Sequence, residues 1–291
     1  MTGRSSRTRA RLAQNFLATD AAARRLVAAA NLRPGDRVYD LGAGTGRITA
    51  ALLAVGARVV AVERDPNLAR RLRARFEGAD VSVVEADWAD ARLRAPFKVV
   101  ANPPFNQTAA LLRRLLFERP APESATLILQ RGAAERYAGR HLSVVSLTAQ
   151  PWFQLAVRRG FARHEFVPAP SVDVAVLQLH RRRRPLLDED HHEPWRAFVG
   201  YVVGRSKPDA RRSFRNLVSH LQWRRLTQDL AIGEEARLAD LTLDQWLGLY
   251  RFVRRATPAR KQRLALQGAG VRSSSSRAAA STAASEKASG K

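Results

Sequence analysis

Cysteine is absent from this 291-residue chain. Its absence excludes disulfide frameworks, cysteine-ligated zinc, iron–sulfur clusters and thiol nucleophiles. The sequence also lacks any apolar run that approaches the roughly 20 residues needed to span a bilayer. The N-terminus has no apolar segment of the kind that marks a secretory signal. We therefore expect a cytoplasmic protein that has no membrane partner.

Acidic residues are also few, with 26 Asp and Glu against 50 Lys and Arg, so the formal net charge is +24. Half of this excess falls on the two ends of the chain, +4 on residues 1–11 and +8 on residues 254–291. Such a balance favours a polyanionic partner, and nucleic acid is the simplest candidate. An anionic membrane is the alternative, but no long basic amphipathic segment supports it.

Short β-rich runs alternate with helical stretches between Asp36 and Asp173, as expected of an α/β domain with a mostly parallel sheet. The predicted strands are Arg37–Leu41, Arg58–Glu63, Val81–Ala86, Phe97–Ala101 and Thr126–Gln130. The predicted helices are Ile48–Leu53, Pro66–Phe76 and Ala109–Phe117. Trp152–Val157 and Val172–Leu179 predict a late antiparallel pair at the sheet edge.

The four arginines Arg181–Arg184, followed by Pro185, indicate a linker. Beyond it the strand signal ends, and the predicted helices are Trp195–Val203, Asp209–Leu221, Trp223–Leu230 and Leu243–Val253. After residue 255 the composition becomes rich in Ala, Ser and Gly, which predicts disorder. We therefore divide the chain into a basic flexible arm (1–11), an α/β domain (12–180), a helical domain (185–255) and a disordered basic tail (256–291).

A glycine-rich loop, Gly42-Ala43-Gly44-Thr45-Gly46, follows the first predicted strand and precedes a helix. Glycines at such a turn let backbone N–H groups approach a ligand at the helix N-terminus. Arg47 stands where a dinucleotide fingerprint has its third glycine, which argues against NAD and FAD. A purely structural turn is the alternative interpretation.

Two acidic residues follow the next two predicted strands. Glu63 lies 17 residues after Gly46, where an acid can accept hydrogen bonds from ribose hydroxyls. Asp87 is placed for the exocyclic amine or ring edge of an adenine. Each acid alone could be an ordinary polar strand end. Together with the glycine loop, however, they mark the edge at which ligands bind in such sheets.

The tetrapeptide Asn102-Pro103-Pro104-Phe105 follows the fourth predicted strand. Its two prolines exclude a helix and fix an extended stretch. The adenine amino group is a poor nucleophile because its lone pair is delocalised into the ring. If the Asn102 side chain and the Pro103 carbonyl accepted both amino hydrogens, they would favour a pyramidal nitrogen aimed at a methyl donor. Phe105 would stack on the base, worth about 1–3 kcal/mol, and positioning would supply most of the rate.

Together these motifs resemble the rRNA adenine N6-methyltransferases. This family includes the macrolide–lincosamide–streptogramin resistance (Erm) enzymes and the small-subunit (KsgA-type) dimethyltransferases. The resemblance covers about residues 12–255, and it includes Gln14-Asn15-Phe16-Leu17 and the F-x-P-x-P-x-V-D motif that begins at Phe166. It implies a Rossmann-like AdoMet-dependent methyltransferase sheet with a small all-helical C-terminal domain that binds rRNA.

The resemblance also implies site residues, with S-adenosyl-L-methionine (AdoMet) as the cofactor. Phe166 is expected to flank the target base opposite Phe105. The implied catalytic residues are Asn102, Pro103, Phe105 and Phe166. The implied cofactor-binding residues are Asn15, Leu17, Gly42, Gly44, Glu63, Arg64, Asp87, Trp88 and Asn102.

One position departs from the family pattern, since Pro103 fills a slot that usually holds Ile or Leu, as it does in DNA adenine methyltransferases. The carbonyl at this position is unaffected, so the chemistry should survive. Asn106-Gln107-Thr108 resembles the continuation of the rRNA family, which argues against a DNA enzyme. A non-enzymatic RNA-binding or assembly protein is the alternative from a different functional class.

The arginine-rich arm and the Ser/Ala/Arg tail resemble those of resistance enzymes from antibiotic-producing actinomycetes. This branch implies mono- or dimethylation of N6 of one adenine in the peptidyl-transferase loop of 23S rRNA, naked or in pre-ribosomal particles. Macrolide-type resistance would follow. A KsgA-type 16S rRNA dimethyltransferase is the alternative. We expect a monomer without a metal, and we interpret His191-His192 as part of a solvated acidic linker.

Overall fold

The structure, a computed structural model, describes residues 15–139, 142–204 and 209–256. The chain divides into two compact units, with the boundary between Leu186 and Leu187. The predicted arm lies outside the described residues, and so does the predicted tail apart from Ala256. Within the described ranges, no helix has the length and apolar character needed to cross a membrane.

The first unit contains both strands and helices. Its strands are β1 (Phe16–Leu17), β2 (Arg37–Leu41), β3 (Arg58–Glu63), β4 (Val81–Glu85), β5 (Lys98–Ala101), β6 (Ser124–Gln130), β7 (Phe153–Arg158), β8 (Phe166–Val167) and β9 (Val174–Arg181). Its helices are α1 (Asp20–Ala29), α2 (Arg47–Ala54), α3 (Pro66–Arg75), α4 (Thr108–Phe117), α5 (Arg131–Tyr137) and α6 (Val144–Ala149).

The main sheet has seven strands in the order β4-β3-β2-β5-β6-β9-β7. The first five of these run parallel, while β9 is antiparallel to both β6 and β7. The expected Rossmann-like α/β fold with a late antiparallel pair at one edge is therefore confirmed. The order reverses between β2 and β5, which is where ligands bind in doubly wound sheets.

Apolar strand residues and helix caps account for most of these elements. The parallel strands β2 and β5 bury nearly all their side chains, since helices cover both faces of such a sheet. Helix α3 begins with Asp65, whose side chain accepts from two backbone N–H groups, and with Pro66 in the first turn. Helix α1 was not predicted, because alanine supplies much of its buried face beside Leu26 and Val27.

A small two-stranded ribbon also escaped prediction. β1 pairs with β8 in antiparallel register, with Phe16 opposite Val167 and Leu17 opposite Phe166. Each strand has two residues, too few for an alternating pattern to be visible in the sequence. The ribbon brings the N-terminal motif next to the F-x-P-x-P-x-V-D motif, although 150 residues separate Phe16 from Phe166.

The second unit is helical within its described residues. Its helices are α7 (His192–Gly204), α8 (Ala210–Phe214), α9 (His220–Asp229) and α10 (Leu243–Ala256). The single helix predicted over Asp209–Leu221 is wrong. The side chain of Ser219 accepts from the backbone N–H of Gln222 and starts α9 with a capping box, so the chain turns between α8 and α9.

The core of this second unit is aromatic. Trp195, Trp223 and Trp246 are all buried, so these tryptophans pack in the interior of the unit. The Trp195 ring meets Tyr250 edge-on at 5.2 Å, and Phe214 lies 5.4 Å from Trp223. Such ring pairs contribute about 0.5–1.5 kcal/mol each beyond the area that they bury.

Candidate active site

The carboxyl ends of the parallel strands β2 to β5 lie at one edge of the sheet, and the predicted motifs follow them. The glycine loop leaves β2, Glu63 is the last residue of β3, Asp87 follows β4 and Asn102 follows β5. In open α/β sheets this edge forms the ligand crevice. The topology therefore gathers the predicted cofactor and catalytic residues from four separate segments.

The glycine loop has a conformation that glycine alone adopts easily. Gly42, Gly44 and Gly46 have φ angles of 79°, 56° and 80°, all in the left-handed region. The N–H groups of Gly42 and Ala43 both donate to the Val62 carbonyl, at 2.8 and 3.0 Å. These bonds fix the loop against β3, and Gly46 caps the start of α2.

Glu63 holds this loop from the neighbouring strand. Its carboxylate accepts from the Gly44 N–H at 2.8 Å and from the Asp65 N–H at 2.9 Å, and the residue is 2% exposed. A carboxylate offers about four lone-pair positions. Two bonds to the backbone therefore leave acceptor capacity for ribose hydroxyls while fixing the position of the side chain.

Asp40 is a second buried acid at this edge, and sequence reasoning missed it. Its Oδ2 accepts from the Thr49 hydroxyl at 2.6 Å, and its buried Oδ1 has no partner among the described residues. Burial, together with the smaller effect of the nearby Glu63 charge, raises the pKa of Asp40 to about 7. A pair of buried carboxyl groups favours a cationic ligand, because a positive charge relieves their repulsion.

The structure connects the next two predicted residues, Arg64 and Asp87, by an ion pair of 3.6 Å. Asp87 also accepts from the Ala89 N–H at 3.0 Å, which shapes the turn after β4. Trp88 is buried, and its indole N–H donates to the Gln107 side chain at 2.8 Å. Trp88 therefore ties the Asp87 turn to the segment that follows Phe105.

The amide of Asn102 is oriented by the N-terminal motif. Its Nδ2 donates to the Asn15 backbone carbonyl at 2.6 Å. A carbonyl oxygen can only accept, so the atom facing it must be the amide nitrogen. This contact leaves Oδ1 of Asn102 as the acceptor that the predicted chemistry requires. The Asn15 carbonyl is thus a positioning group that the sequence could not show.

Phe16 covers the glycine loop and is a second residue that sequence reasoning missed. A Cβ atom added at Gly44 would lie 2.5 Å from Cε1 of the Phe16 ring. The close approach of this ring therefore requires glycine at position 44. Through Phe16, the β1–β8 ribbon is packed directly on the loop that leaves β2.

The two phenylalanines expected to sandwich the base differ in exposure. Phe105 is half-buried and packs on the apolar core beside the sheet. Phe166 is only 2% exposed, and its ring meets Phe161 edge-on at 6.1 Å. Stacking of Phe166 on a base stays a prediction and requires the ring to leave this packing. Leu17 is likewise in the core at 4% exposure, so its contact with a ligand would use backbone atoms.

These residues fit the cofactor implied by the sequence. Among the described residues, nothing lies within 4 Å of a Cβ atom added at Gly42, so the loop has open space in front of it. The acids Asp40, Glu63 and Asp87 suit a cationic molecule that carries ribose and adenine. When bound, AdoMet supplies the activated methyl group. The residues of the chain would hold it and orient the acceptor, with no general base required.

Among the described residues, one group of potential metal ligands is found, and it belongs to the second unit. Ligand atoms of Asp188, Asp190 and His191 lie within 4.8 Å of one another. However, the Arg254 guanidinium lies 3.0 Å from Nδ1 of His191, and the Tyr250 hydroxyl lies 2.8 Å from the same atom. A fixed guanidinium against the histidine disfavours a second cation there.

Comparison with known proteins identifies the family that the motifs resemble. Residues 5–255 match the family model for ribosomal RNA adenine dimethylase. The chain is 33% identical to an rRNA adenine N-6-methyltransferase of Streptomyces fradiae, over 87% of this chain and 82% of that protein. It is 32% identical to ribosomal RNA small subunit methyltransferase A of Synechococcus elongatus, over 83% of this chain and 93% of that protein.

Two solved structures have the same fold as this chain. The crystal structure of 23S rRNA methyltransferase ErmE superposes with a TM-score of 0.75 at 28% identity, covering 83% of this chain and all of that one. A dimethyladenosine transferase of Plasmodium falciparum shares the fold, with a TM-score of 0.70 at 21% identity over 83% of this chain and 98% of that one. The chain therefore belongs to the ribosomal RNA adenine dimethylase family and is an AdoMet-dependent rRNA adenine N6-methyltransferase.

Proposed function

We propose that this enzyme methylates N6 of one adenine in the peptidyl-transferase loop of 23S rRNA and thereby confers macrolide-type resistance. The single observation that carries the choice of branch is the similarity to 23S rRNA methyltransferase ErmE, which is matched over its whole chain at a TM-score of 0.75. The Streptomyces fradiae relative, an rRNA adenine N-6-methyltransferase, supports the methylation of N6. Because its substrate is ribosomal, we expect the enzyme to act in the cytoplasm.

In this proposal Asn102 and Pro103 hold the target amine. Oδ1 of Asn102 and the Pro103 carbonyl accept the two N6 hydrogens, which frees the nitrogen lone pair for attack on the methyl group. Bound AdoMet would supply the methyl group from its sulfur to this nitrogen, and the methylated amine would pass one proton to solvent. The Asn15 carbonyl supports this arrangement, because it accepts a hydrogen bond from Nδ2 of Asn102. That bond fixes the orientation of the amide and leaves Oδ1 available to the target amine.

Stacking positions the base in the same proposal. The half-buried Phe105 ring offers a face to adenine, worth about 1–3 kcal/mol. Phe166 closes the opposite face after its ring moves from Phe161. The edge-to-face contact with Phe161 is worth about 0.5–1.5 kcal/mol beyond the area that it buries, and stacking on the base would bury the ring again.

The cofactor would be held by the glycine loop and by the acids around it. Glu63 would accept from ribose hydroxyls, and Asp87, with the neighbouring Arg64 and Trp88, would border the adenine. The backbone of Asn15 and Leu17 would close the site from the β1–β8 ribbon. The open space before Gly42 and the acceptor capacity of Glu63 support this arrangement.

A second candidate is methylation of 16S rRNA, as in the small-subunit enzymes. It is favoured by the Synechococcus elongatus relative, whose identity of 32% is close to the 33% of the Streptomyces fradiae relative. The tetrapeptide serves both branches, because the target in each is an adenine amine. The substrate rRNA therefore has to be identified by experiment.

The test offers the enzyme three substrates with labelled AdoMet: naked 23S rRNA, naked 16S rRNA and small ribosomal subunits. The proposal expects label in 23S rRNA alone, and it expects Asn102→Ala to lose that label. A host that expresses the wild-type enzyme should become macrolide-resistant, and one that expresses Asn102→Ala should stay sensitive. Label confined to small-subunit RNA would refute the 23S assignment.

A further inference from the structure

A basic cavity lies at the edge of the sheet opposite the methyl-transfer site. It is lined by residues at the amino ends of β2, β5 and β6, by the carboxyl end of β9 and by the end of α1. Its volume is about 620 Å³. Lys98, the first residue of β5, lines the cavity, and Asn102 follows the last residue of the same strand, so at about 3.3 Å per residue the cavity lies roughly 13 Å from the catalytic tetrapeptide. We call this cavity the far-edge groove.

Cations dominate the lining of the far-edge groove. They are Arg33, Lys98, Arg181, Arg182 and Arg183, and the acids are Asp36 and Glu123. The Lys98 ammonium pairs with Asp36 at 2.6 Å, which neutralises one of the two carboxylates. Arg33 and Arg183 are exposed at the rim. The groove thus has a formal net charge of +3, and Arg184 adds another cation next to it in the chain.

The arginine run is fixed along the groove by backbone contacts. The Arg181 N–H donates to the Glu123 carbonyl at 2.9 Å, and the Arg182 N–H donates to the Trp152 carbonyl at 2.8 Å. The Arg182 guanidinium also donates to the Gln150 carbonyl at 2.9 Å. These bonds hold successive arginines on a rigid strand end. A preformed row of cations loses less entropy on binding than a flexible one.

The half-buried His180 also lines the groove, beside these cations. Burial lowers its pKa, and the charges of Arg158 and Lys98 lower it further, so the imidazole is mainly neutral at pH 7. Arg158 donates to Gln178 on β9, so it is held on the same strand pair. An anion in the groove would relieve the repulsion among these like charges.

We propose that the far-edge groove binds backbone phosphates of the substrate rRNA, outside the nucleotides that enter the methyl-transfer site. Arginine pairs with phosphate through a planar fork of donors, and a run of arginines matches a polyanion with repeated phosphates better than a single small anion. Such contacts carry no base sequence and fix the position of the RNA on the protein. The inference rests on rRNA being the substrate, whichever ribosomal subunit supplies it.

The test compares two double variants of the full-length enzyme that each remove two exposed arginines. Arg33→Gln/Arg183→Gln empties the groove rim and keeps the Lys98–Asp36 pair. Arg70→Gln/Arg71→Gln removes the same charge from α3, where both arginines are exposed. Binding and methylation are measured from 50 to 200 mM salt on the rRNA that the wild-type enzyme labels. AdoMet affinity and thermal unfolding serve as folding controls.

The groove variant should raise the Kd and KM for rRNA about tenfold at low salt, with kcat and AdoMet affinity unchanged. Its plot of log affinity against log salt should become shallower by about 0.7–0.9 for each lost phosphate contact. Arg33→Lys/Arg183→Lys should keep the wild-type slope, and the α3 variant should change it by much less.

Equal changes in the groove and α3 variants would show a general field effect and overturn the proposal. Unchanged rRNA affinity in the groove variant would also overturn the proposal, and it would indicate that the groove binds an anion other than RNA. Neither result depends on the choice between 23S and 16S rRNA, because that choice is decided by which RNA the wild-type enzyme labels.

Discussion

Replacing Gly42 and Gly44 separately by alanine tests how the glycine loop is built. Both residues have left-handed φ angles, 79° and 56°, which cost an alanine about 1–2 kcal/mol. Both variants also gain about 0.4–1 kcal/mol because alanine restricts the unfolded chain. Both contributions are nearly the same in the two variants, so they drop out of the difference in stability between Gly42→Ala and Gly44→Ala.

The surroundings of the two glycines differ. A Cβ atom at Gly44 would lie 2.5 Å from the Phe16 ring, whereas a Cβ atom at Gly42 meets no described atom within 4 Å. Overpacking of this kind costs about 1–3 kcal/mol. Gly44→Ala should therefore be about 1–3 kcal/mol less stable than Gly42→Ala. Gly42→Ala should instead weaken AdoMet binding, because its methyl group enters the space in front of the loop.

Urea unfolding of the cofactor-free enzyme gives the free energies, and isothermal titration gives the affinity for AdoMet. Adding Phe16→Ala to Gly44→Ala should recover part of the stability, since the clash is with that ring. Equal stability of the two glycine variants would refute the account of Phe16. Unchanged AdoMet affinity in Gly42→Ala would refute the placement of the cofactor.

Three further predictions follow from the same site. The pKa of Asp40 is raised to about 7 in the folded protein, so between pH 4 and 7 the folded state binds more protons than the unfolded state. As the pH rises through this range, this group should therefore lower the free energy of unfolding by about 1.4 kcal/mol per pH unit. Asp40→Asn should remove that slope in urea unfolding measured across this range, and an unchanged slope would count against the buried acid. Asn102→Asp places a carboxylate against the Asn15 carbonyl, which lies 2.6 Å from the present amide nitrogen. Methyl transfer should fall by about 100-fold or more, and an active variant would exclude the proposed orientation. Phe166→Ala should cost about 3–5 kcal/mol of stability because its ring is buried, whereas Phe105→Leu should chiefly raise the KM for rRNA; equal stability losses would contradict the difference in exposure.

The sequence predicts the parallel part of the sheet well, because buried parallel strands are continuous apolar runs. β2 and β3 match their predicted bounds, Arg37–Leu41 and Arg58–Glu63. Each of the motif residues that follow these strands then falls at one edge, since parallel topology leaves no other arrangement. The gathering of these motif residues at one edge of the sheet could therefore be predicted from the sequence, whereas their individual roles stay predictions.

The contacts that position the site could not be predicted in this way. The two-residue strands β1 and β8 have no periodicity, and the bond from Asn102 to the Asn15 carbonyl uses a backbone atom that no residue type reveals. The burial of Phe166 against Phe161 depends on tertiary packing, as does the raised pKa of Asp40. Long-range pairing and burial are properties of the fold, and a single sequence does not display them.

The helical unit shows a different limit. The predicted helix over Asp209–Leu221 ignored the capping box formed by Ser219 and Gln222, although both residues were visible in the sequence. Apolar spacing alone does not show the break between α8 and α9, because Phe214, Leu217 and Leu221 continue a helical period. A start signal of this kind should therefore outweigh periodicity when a long helix is predicted.

The most direct test of the central claim is to locate the methylated nucleotide by mass spectrometry of rRNA treated with the wild-type enzyme and with Asn102→Ala. The account predicts N6-methyladenine or N6,N6-dimethyladenine at one adenine of the peptidyl-transferase loop of 23S rRNA, and none with Asn102→Ala. Methylation at any other site, or methylation that survives in Asn102→Ala, would contradict it.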